Sequence, residues 1–188
     1  MSRPFAFRAF VLGLAALGCG GGDDDSNATT PSGLAGMYQT MSTTVSEPCD
    51  AAAMPASNDP VYFQIKDEQF LGESYIALYP CTGTDPSSCD DFATIDFATA
   101  VGAGTYKSEV SGLSTDGSAA PTECNGDYSA SEIKKATDGV SVVSSTQSGI
   151  ITGAELCKLG DGEFTAQQEA AIKALPCTSR ETWQAARL

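Results

Sequence analysis

Residues 126–151 decide the fold class of this chain. They read GDYSASEI over 126–133, KKATD over 134–138 and GVSVVSSTQSGII over 139–151. The second long run is rich in Val, Ser, Thr and Ile, the composition of a half-buried β-strand. Asp138-Gly139 between the two runs is a strong hairpin-turn signal. The stretch therefore predicts two antiparallel strands, at about Gly126–Ile133 and Gly139–Ile151.

Short segments of alternating polarity, bounded by Gly, Pro or Asp, precede this hairpin and indicate an antiparallel all-β domain. They predict strands at Met37–Ser46, Val61–Lys66, Tyr75–Tyr79, Phe92–Phe97 and Thr105–Val110. The prolines between Pro48 and Pro60 exclude a central strand there and predict a long loop. Val101-Gly102-Ala103-Gly104 is read as a turn.

Alternation also predicts which side chains face the core. In the strand at Val61–Lys66, the apolar residues Val61, Phe63 and Ile65 are expected to point inward. In the strand at Met37–Ser46, one face is predicted to carry Met37, Met41, Thr43 and Val45, and the other Tyr38, Thr40, Ser42 and Thr44.

One helix is predicted near the end of the chain, at Ala166 to about Ala174. Thr165 and Gln168 have the spacing of a capping box, and Pro176 ends the helix because the residue before a proline avoids the helical region. The tail, Arg180–Leu188, is compatible with a strand or a helix. We interpret it as a strand, because Cys177 can tie it to the sheet and a free terminal helix would have little to bury. The fold class expected is mainly β, a small antiparallel barrel or a β-sandwich with one late helix.

The opening of the first predicted strand, Gly36-Met37-Tyr38, resembles that of lipocalin-like lipoproteins, whose first strand opens with Gly-x-Trp. Tyr38 stands here in place of the Trp, and no second lipocalin motif can be matched. The resemblance implies a barrel of successive hairpins with a helix near its end.

The N-terminal segment has the layout of a secretory signal peptide. Arg3 and Arg8 precede an apolar run, residues 10–17, which is too short to span a bilayer. Ala16-Leu17-Gly18-Cys19 resembles the lipobox of bacterial lipoproteins, although Leu stands one residue later than the family usually has it. The resemblance implies cleavage before Cys19 and attachment of acyl chains, such as palmitate, to that residue. An ordinary signal peptide with a chance cysteine is the alternative.

The lipobox resemblance sets the expected domain plan: a signal peptide at 1–18, a lipidated Cys19 with a Gly/Asp-rich linker over 19–33, and one β domain over 34–188. It also implies export and anchoring in the bacterial envelope. Gly20 rather than Asp follows Cys19, which in the enteric sorting pattern of this family indicates the outer membrane.

Charge and cysteine content agree with an exported protein. The formal charge is −14, and cleavage before Cys19 would change it to −16 by removing Arg3 and Arg8. Such a surface repels nucleic acid. Cys19 apart, six cysteines suggest three disulfides rather than a zinc site: Cys49, Cys81, Cys89, Cys124, Cys157 and Cys177. We predict Cys81–Cys89 across a turn, Cys157–Cys177 across the helix, and Cys49–Cys124 by exclusion.

The sequence carries little that indicates catalysis. Histidine is absent, and so are Gly-x-Ser-x-Gly, Walker and Gly-x-Gly-x-x-Gly motifs. We therefore predict neither an enzyme nor a bound cofactor. Carboxylate pairs drawn from Asp90, Asp91, Asp96, Glu123 and Asp127 are the alternative, a hydrolase. A calcium site is another, using Asp85, Asp90, Asp91 and Asp96, or Asp116, Asn125 and Asp127.

The expected role is that of a membrane-anchored binding or envelope-structural module, with a small apolar ligand or an envelope protein as partner. An aromatic set could line a ligand cavity or fill the core: Tyr62, Phe63, Tyr75, Tyr79, Phe92, Phe97 and Tyr106. Filling is the expected outcome, because a larger set can point inward: Phe63, Ile65, Ile76, Leu78, Ile95 and Phe97. A pocket would need small residues such as Ala77, Ala93 or Ala98 to line it.

Overall fold

The computed structural model describes residues 32–70, 73–91, 93–115, 117, 121–159 and 163–188. The strands are β1 Gly36–Ser46, β2 Met54–Ala56, β3 Tyr62–Phe70, β4 Glu73–Cys81, β5 Asp96–Gly102, β6 Thr105–Ser114, β7 Glu123–Ala136, β8 Gly139–Thr152 and β9 Cys177–Arg187. A 3-10 turn, Pro86–Ser88, follows β4, and one helix, α1 Ala166–Lys173, precedes β9. The signal, lipobox and most of the linker lie outside the described residues.

Eight strands close into an antiparallel barrel. β1 and β3 to β9 pair in sequence order, and β1 pairs with β9 to complete the circle. The short β2 pairs with the C-terminal part of β1 and lies within the loop predicted from the prolines. Of the two architectures that the sequence left open, the structure is therefore the barrel and not the sandwich.

The hairpin of residues 126–151 is confirmed and is longer than predicted. β7 and β8 pair without interruption from Glu123 opposite Thr152 to Ala136 opposite Gly139. The tail is a strand, as predicted, because β9 fits between β8 and β1 and closes the sheet. A barrel closed in this way leaves no free sheet edge along most of its length.

The barrel core is apolar and occupies the part nearest the β7–β8 turn. Tyr38 and Phe63 stack with ring centroids 5.4 Å apart, and Trp183 lies 6.4 Å from Phe63. Thirteen buried residues form this cluster: Leu34, Tyr38, Phe63, Ile65, Ile76, Leu78, Ala98, Tyr106, Ile133, Val140, Val142, Trp183 and Ala185. Side chains therefore fill this part of the barrel, as expected of eight strands.

A second apolar cluster lies on the outer face, between α1 and the far ends of β6, β7 and β8. Its buried members are Cys124, Ile151, Cys157 and Ile172. The capping box predicted for α1 is present, with Thr165 Oγ1 accepting from Gln168 N and Thr165 N donating to Gln168 Oε1. The helix therefore covers the sheet from outside, since its apolar side chains form only a narrow stripe.

The faces predicted for β1 are wrong after Thr40. Tyr38, Thr40 and Thr43 are all buried, although the sequence placed Thr43 on the opposite face from the other two. The pairing of β1 with β9 shifts between Thr40 and Ser42, so Met41 is an extra residue in a β-bulge and lies exposed. A bulge reverses the alternation beyond it, which strict alternation cannot anticipate.

The predicted strand Phe92–Phe97 is wrong in position and in face. β5 begins at Asp96, and Phe92 lies outside the described residues. Asp96 pairs with the inward Leu78, so Phe97, opposite Ala77, points outward and is 51% exposed. A one-residue difference in register exchanges the two faces of a strand. Val61 is likewise exposed rather than inward, because it precedes β3 at the rim.

Three cysteine pairs lie at disulfide-bonding distance. Cys81–Cys89 is the pair predicted across the turn. The other two predictions are wrong: Cys49 pairs with Cys177, at 5.6 Å between Cα atoms, and Cys124 with Cys157, at 5.4 Å. The ends of β1 and β9 are neighbours, and so are those of β7 and β8, so strand pairing brings each pair together.

Candidate functional site

The two ends of the barrel differ. At one end, which we call the closed end, residues 32–35 cross beneath the core and Leu34 is fully buried. Tyr38 Oη donates to the carbonyl of Leu34 at 2.6 Å, and Arg187 Nη2 donates to the carbonyl of Ala35 at 2.6 Å. The end of the predicted linker and the first residues of the domain therefore seal this end.

Toward the other end, the inward-facing side chains change from apolar to polar. Three serines lie on the same inward faces as buried core residues, two positions nearer this end. They are Ser108, Ser131 and Ser144, next to Tyr106, Ile133 and Val142 respectively. Glu181 precedes the buried Trp183 by two residues and pairs with Ser144. We call this polar part of the barrel the mouth and define it by its six inward-facing residues: Thr43, Asp96, Ser108, Ser131, Ser144 and Glu181.

The mouth is open to solvent because the sheet is incomplete around it. β5 pairs with β6 only from Thr99 to Gly102, opposite the first residues of β6. Farther along the same inner face, Val110 of β6 and Ile150 of β8 are each 66% exposed. The polar layer is itself partly exposed, since Ser108, Ser131 and Ser144 are only half-buried.

Asp96 is the central charged group of the mouth. Its Oδ1 accepts from Ser108 Oγ at 2.6 Å and from the backbone N–H of Phe97 at 2.8 Å. Ser131 Oγ and Ser144 Oγ lie 2.9 Å apart and continue this polar layer. Burial raises the pKa of Asp96, and the hydrogen bonds from Ser108, Ser131 and Phe97 only partly oppose that shift.

Two polar atoms beside this layer have no partner among the described residues. They are Thr43 Oγ1 and Trp183 Nε1, on side chains whose residues are only 3% and 8% exposed. Thr43 and Trp183 are directly opposite each other on β1 and β9, so both point into the barrel. Buried polar groups are nearly always hydrogen-bonded, and two adjacent exceptions indicate a place where a bound group can supply the bonds.

A groove of about 560 Å³ crosses the outer face of β6 to β9. Its floor consists of small side chains such as Ala130 and Ser145. Ion pairs flank it, Lys107 with Glu132 at 3.3 Å and Lys173 with Glu109 at 2.8 Å. Exposed ion pairs of this kind contribute little to the free energy of unfolding. The lysines and glutamates of the groove satisfy one another, unlike the buried atoms of the mouth. A smaller cleft, of about 310 Å³, lies at the closed end beside Leu34 and Lys135.

The acids singled out in the sequence are dispersed, and of them only Asp96 lies in the mouth. Asp85 accepts from the backbone and side chain of Ser87 in the 3-10 turn, and Asp91 pairs with Lys66 on the surface. Glu123 and Asp127 are exposed on β7. Within the described residues, no group of three or more acids or cysteines is placed to hold a metal ion. Asp116, from the second calcium hypothesis, lies outside them.

The predicted aromatic set is divided between the inside and the outside of the barrel. Phe63 and Tyr106 are buried in the core. Tyr75 and Phe97 contact each other on the outer face, with centroids 5.4 Å apart. Beside them, Lys66 Nζ lies 4.8 Å from the ring centroid of Tyr79, and burial together with Glu68 raises the pKa of Tyr79 to about 12. The set therefore does not line one cavity.

Sequence reasoning missed Thr43, Trp183 and Glu181 as site residues. The spacing of Glu181 and Trp183 already placed both on one face of the predicted tail strand, and this was the available signal. Nothing in the sequence showed that Thr43 would lie opposite Trp183, because that depends on the bulge in β1.

None of the described helices has the length and hydrophobicity needed to cross a bilayer. A comparison of the chain with protein-family models, with curated proteins and with solved structures finds no match.

Proposed function

We propose that this protein is an exported, lipid-anchored binding module of the bacterial envelope, and that the mouth of its barrel is the binding surface. The observation that carries the proposal is the difference between the two ends of the barrel. The closed end is sealed by the residues next to the predicted linker, and the mouth, with its unpaired buried atoms, lies toward the opposite end.

The expected anchor supports this orientation. Ser32, where the described chain begins at the closed end, is thirteen positions after Cys19. Even a fully extended chain of that length spans at most about 45 Å. An anchor at Cys19 would therefore keep the closed end near the membrane and leave the mouth facing away from it. We propose that this membrane is the outer membrane, because Gly20 rather than Asp follows Cys19.

The polar layer changes the kind of small ligand expected. An apolar ligand was the expectation from sequence, yet Asp96, Glu181 and three serines face the mouth. Burying these groups against an apolar molecule without hydrogen bonds would cost free energy. We therefore propose a polar small ligand, or an envelope protein that contributes polar groups.

The anchor is tested with Cys19→Ser in the full-length precursor, expressed in a bacterium that processes lipoproteins. The wild type should partition with membranes and gain the mass of two or three acyl chains, since one chain alone binds only marginally. The Ser variant should appear in the soluble envelope fraction. Ser26→Ala, in the same linker, is the control and should stay with the membranes. A wild type that carries no lipid mass would refute the anchor.

An enzyme is the second candidate, and one observation favours it. The raised pKa of Asp96 suits a general acid, and Glu181 faces the same mouth. Two such carboxylates are the machinery of glycoside hydrolysis. Turnover of nitrophenyl glycosides that is lost in both Asp96→Asn and Glu181→Gln would establish the enzyme, and its absence across a panel would leave the binding module.

A further inference from the structure

We propose that the mouth binds a neutral polyhydroxy compound, such as a monosaccharide or cyclitol, whose innermost contacts are Thr43 Oγ1 and Trp183 Nε1. The inference rests on the proposed use of the mouth as a binding surface and adds the chemistry of its ligand.

The unpaired atoms carry the argument. Four buried side-chain atoms lack a partner among the described residues: Thr43 Oγ1, Gln64 Oε1, Gln147 Oε1 and Trp183 Nε1. Gln64 lies between the inward-facing Phe63 and Ile65 on β3, so it faces outward. Gln147 lies between two inward-facing residues of β8 and faces outward for the same reason. The two remaining atoms face inward and lie on directly opposed residues. Both atoms are fully buried, so a ligand in the mouth would bond to them by displacing the side chains that cover them.

The types of these atoms select the ligand chemistry. An indole N–H can only donate, so the ligand must offer an acceptor, whereas the Thr43 hydroxyl can donate or accept. Asp96 accepts hydrogen bonds when ionised, and Ser131 and Ser144 both donate and accept. A molecule with several hydroxyl groups matches all of these at once, because each hydroxyl both donates and accepts.

Charge in the mouth argues against the other small ligands. Its two ionisable groups are the acids Asp96 and Glu181, and none of its six defining residues is basic. An anion, such as a fatty acid or a phosphate ester, would meet two carboxylates and no compensating cation. A quaternary ammonium ion offers no acceptor to the indole N–H of Trp183. A neutral ligand avoids both conflicts, and the Phe63 and Trp183 rings supply an apolar base for its C–H groups.

The experiment is a titration of the full-length protein, followed by tryptophan emission. Trp183 is the only tryptophan in the chain, so its emission reports on the proposed contact itself. The probes are glucose and myo-inositol, each raised to tens of millimolar. We expect at least one to change the emission saturably. Octanoate and tetramethylammonium chloride, as the anionic and cationic probes, should give no saturable change.

Thr43→Val separates binding from folding, because valine has the shape of threonine without its hydroxyl. Loss of one hydrogen bond should weaken binding of the responding probe about fivefold. The unfolding midpoint should stay the same or rise, since the variant removes an unpaired buried hydroxyl. Thr44→Val, on the next residue and the other face of β1, should change neither quantity. Asp96→Asn should also weaken binding.

The proposal is overturned if neither glucose nor myo-inositol saturates, if Thr43→Val binds as tightly as the wild type, or if octanoate or tetramethylammonium saturates instead. Cys19→Ser should give the same titration curve as the wild type, because the anchor is remote from the mouth. A soluble wild type that binds glucose would thus refute only the anchor. An anchored protein that binds neither polyhydroxy probe would refute only the ligand class proposed here.

Discussion

At the residue scale, Gly139 shows how a local signal and a tertiary contact differ. Its place after Asp138 marked a hairpin turn in the sequence, and the turn is present. Gly139 does not adopt a left-handed φ, however. A Cβ built on it would overlap the carbonyl oxygen of Ala185 on β9. Glycine is required there because two backbones come into close contact where β9 meets the hairpin.

Gly139→Ala should therefore be strongly destabilising. The methyl group can be accommodated only if β8 and β9 separate, and overpacking of this kind costs about 1–3 kcal/mol of unfolding free energy. Urea denaturation followed by Trp183 emission measures the loss. Gly102→Ala is the matched control, because it also lies at a hairpin end and a Cβ there meets nothing within 4 Å. Equal stability of the two variants would contradict the contact.

At the element scale, α1 is held to the barrel by one side chain with two roles. Gln168 completes the capping box, and its Nε2 also donates to the carbonyls of Leu156 and Lys158, at 3.1 and 3.0 Å. It is a buried polar residue on the helix face that covers the second apolar cluster. The sequence predicted the cap from Thr165 and Gln168, but the bonds to the 156–158 segment depend on how that segment folds back.

Gln168→Ala should destabilise the protein more than Thr165→Ala does. Loss of a cap residue costs typically ~1 kcal/mol. Gln168→Ala also leaves two carbonyl groups without their donor, and each lost bond adds about 1 kcal/mol. Thermal unfolding of both variants gives the order, with Gln167→Ala, an exposed neighbour, as the near-neutral control. If Thr165→Ala lowered the stability more than Gln168→Ala, the hydrogen bonds to residues 156–158 would not stabilise the fold as proposed.

At the scale of the whole molecule, closure of the barrel decides which cysteines meet. The pairing of β1 with β9 joins the two ends of the domain, and Cys49–Cys177 crosses that seam between residues 128 positions apart in sequence. Cys124–Cys157 joins the start of β7 to the segment after β8. Both links lie toward the mouth, whereas the closed end is held by hydrogen bonds to residues 32–35.

Peptide mapping of the oxidised protein should recover Cys49–Cys177, Cys81–Cys89 and Cys124–Cys157. The double variant Cys49→Ser/Cys177→Ser should lower the unfolding free energy by about 2–4 kcal/mol, since a long loop is released in the unfolded chain. Cys81→Ser/Cys89→Ser, which opens a loop of only a few residues, should cost less. Recovery of a Cys49–Cys124 peptide would show that strand pairing does not set the connectivity.

Local sequence patterns predict the features that depend on neighbouring residues. The β class, the β7–β8 hairpin, the cap of α1 and the Cys81–Cys89 pair were all predictable, because turn chemistry, alternation and capping act over a few residues. The strand at the C-terminus was predicted on other grounds, the tie that Cys177 can make and the little that a terminal helix would bury. Of the candidate site, only Asp96 was named in advance, and only as one of many acids.

Four features depend on contacts between distant parts of the chain: closure into a barrel, the faces of β1 and β5, two of the three disulfides and the assembly of the mouth. Alternation fixes which residues share a face only while the register is unbroken, and the bulge at Met41 breaks it. Thr43 and Trp183 are 140 positions apart in sequence, and they meet because the last strand pairs with the first. That pairing is a property of the closed sheet, and no short stretch of residues encodes it.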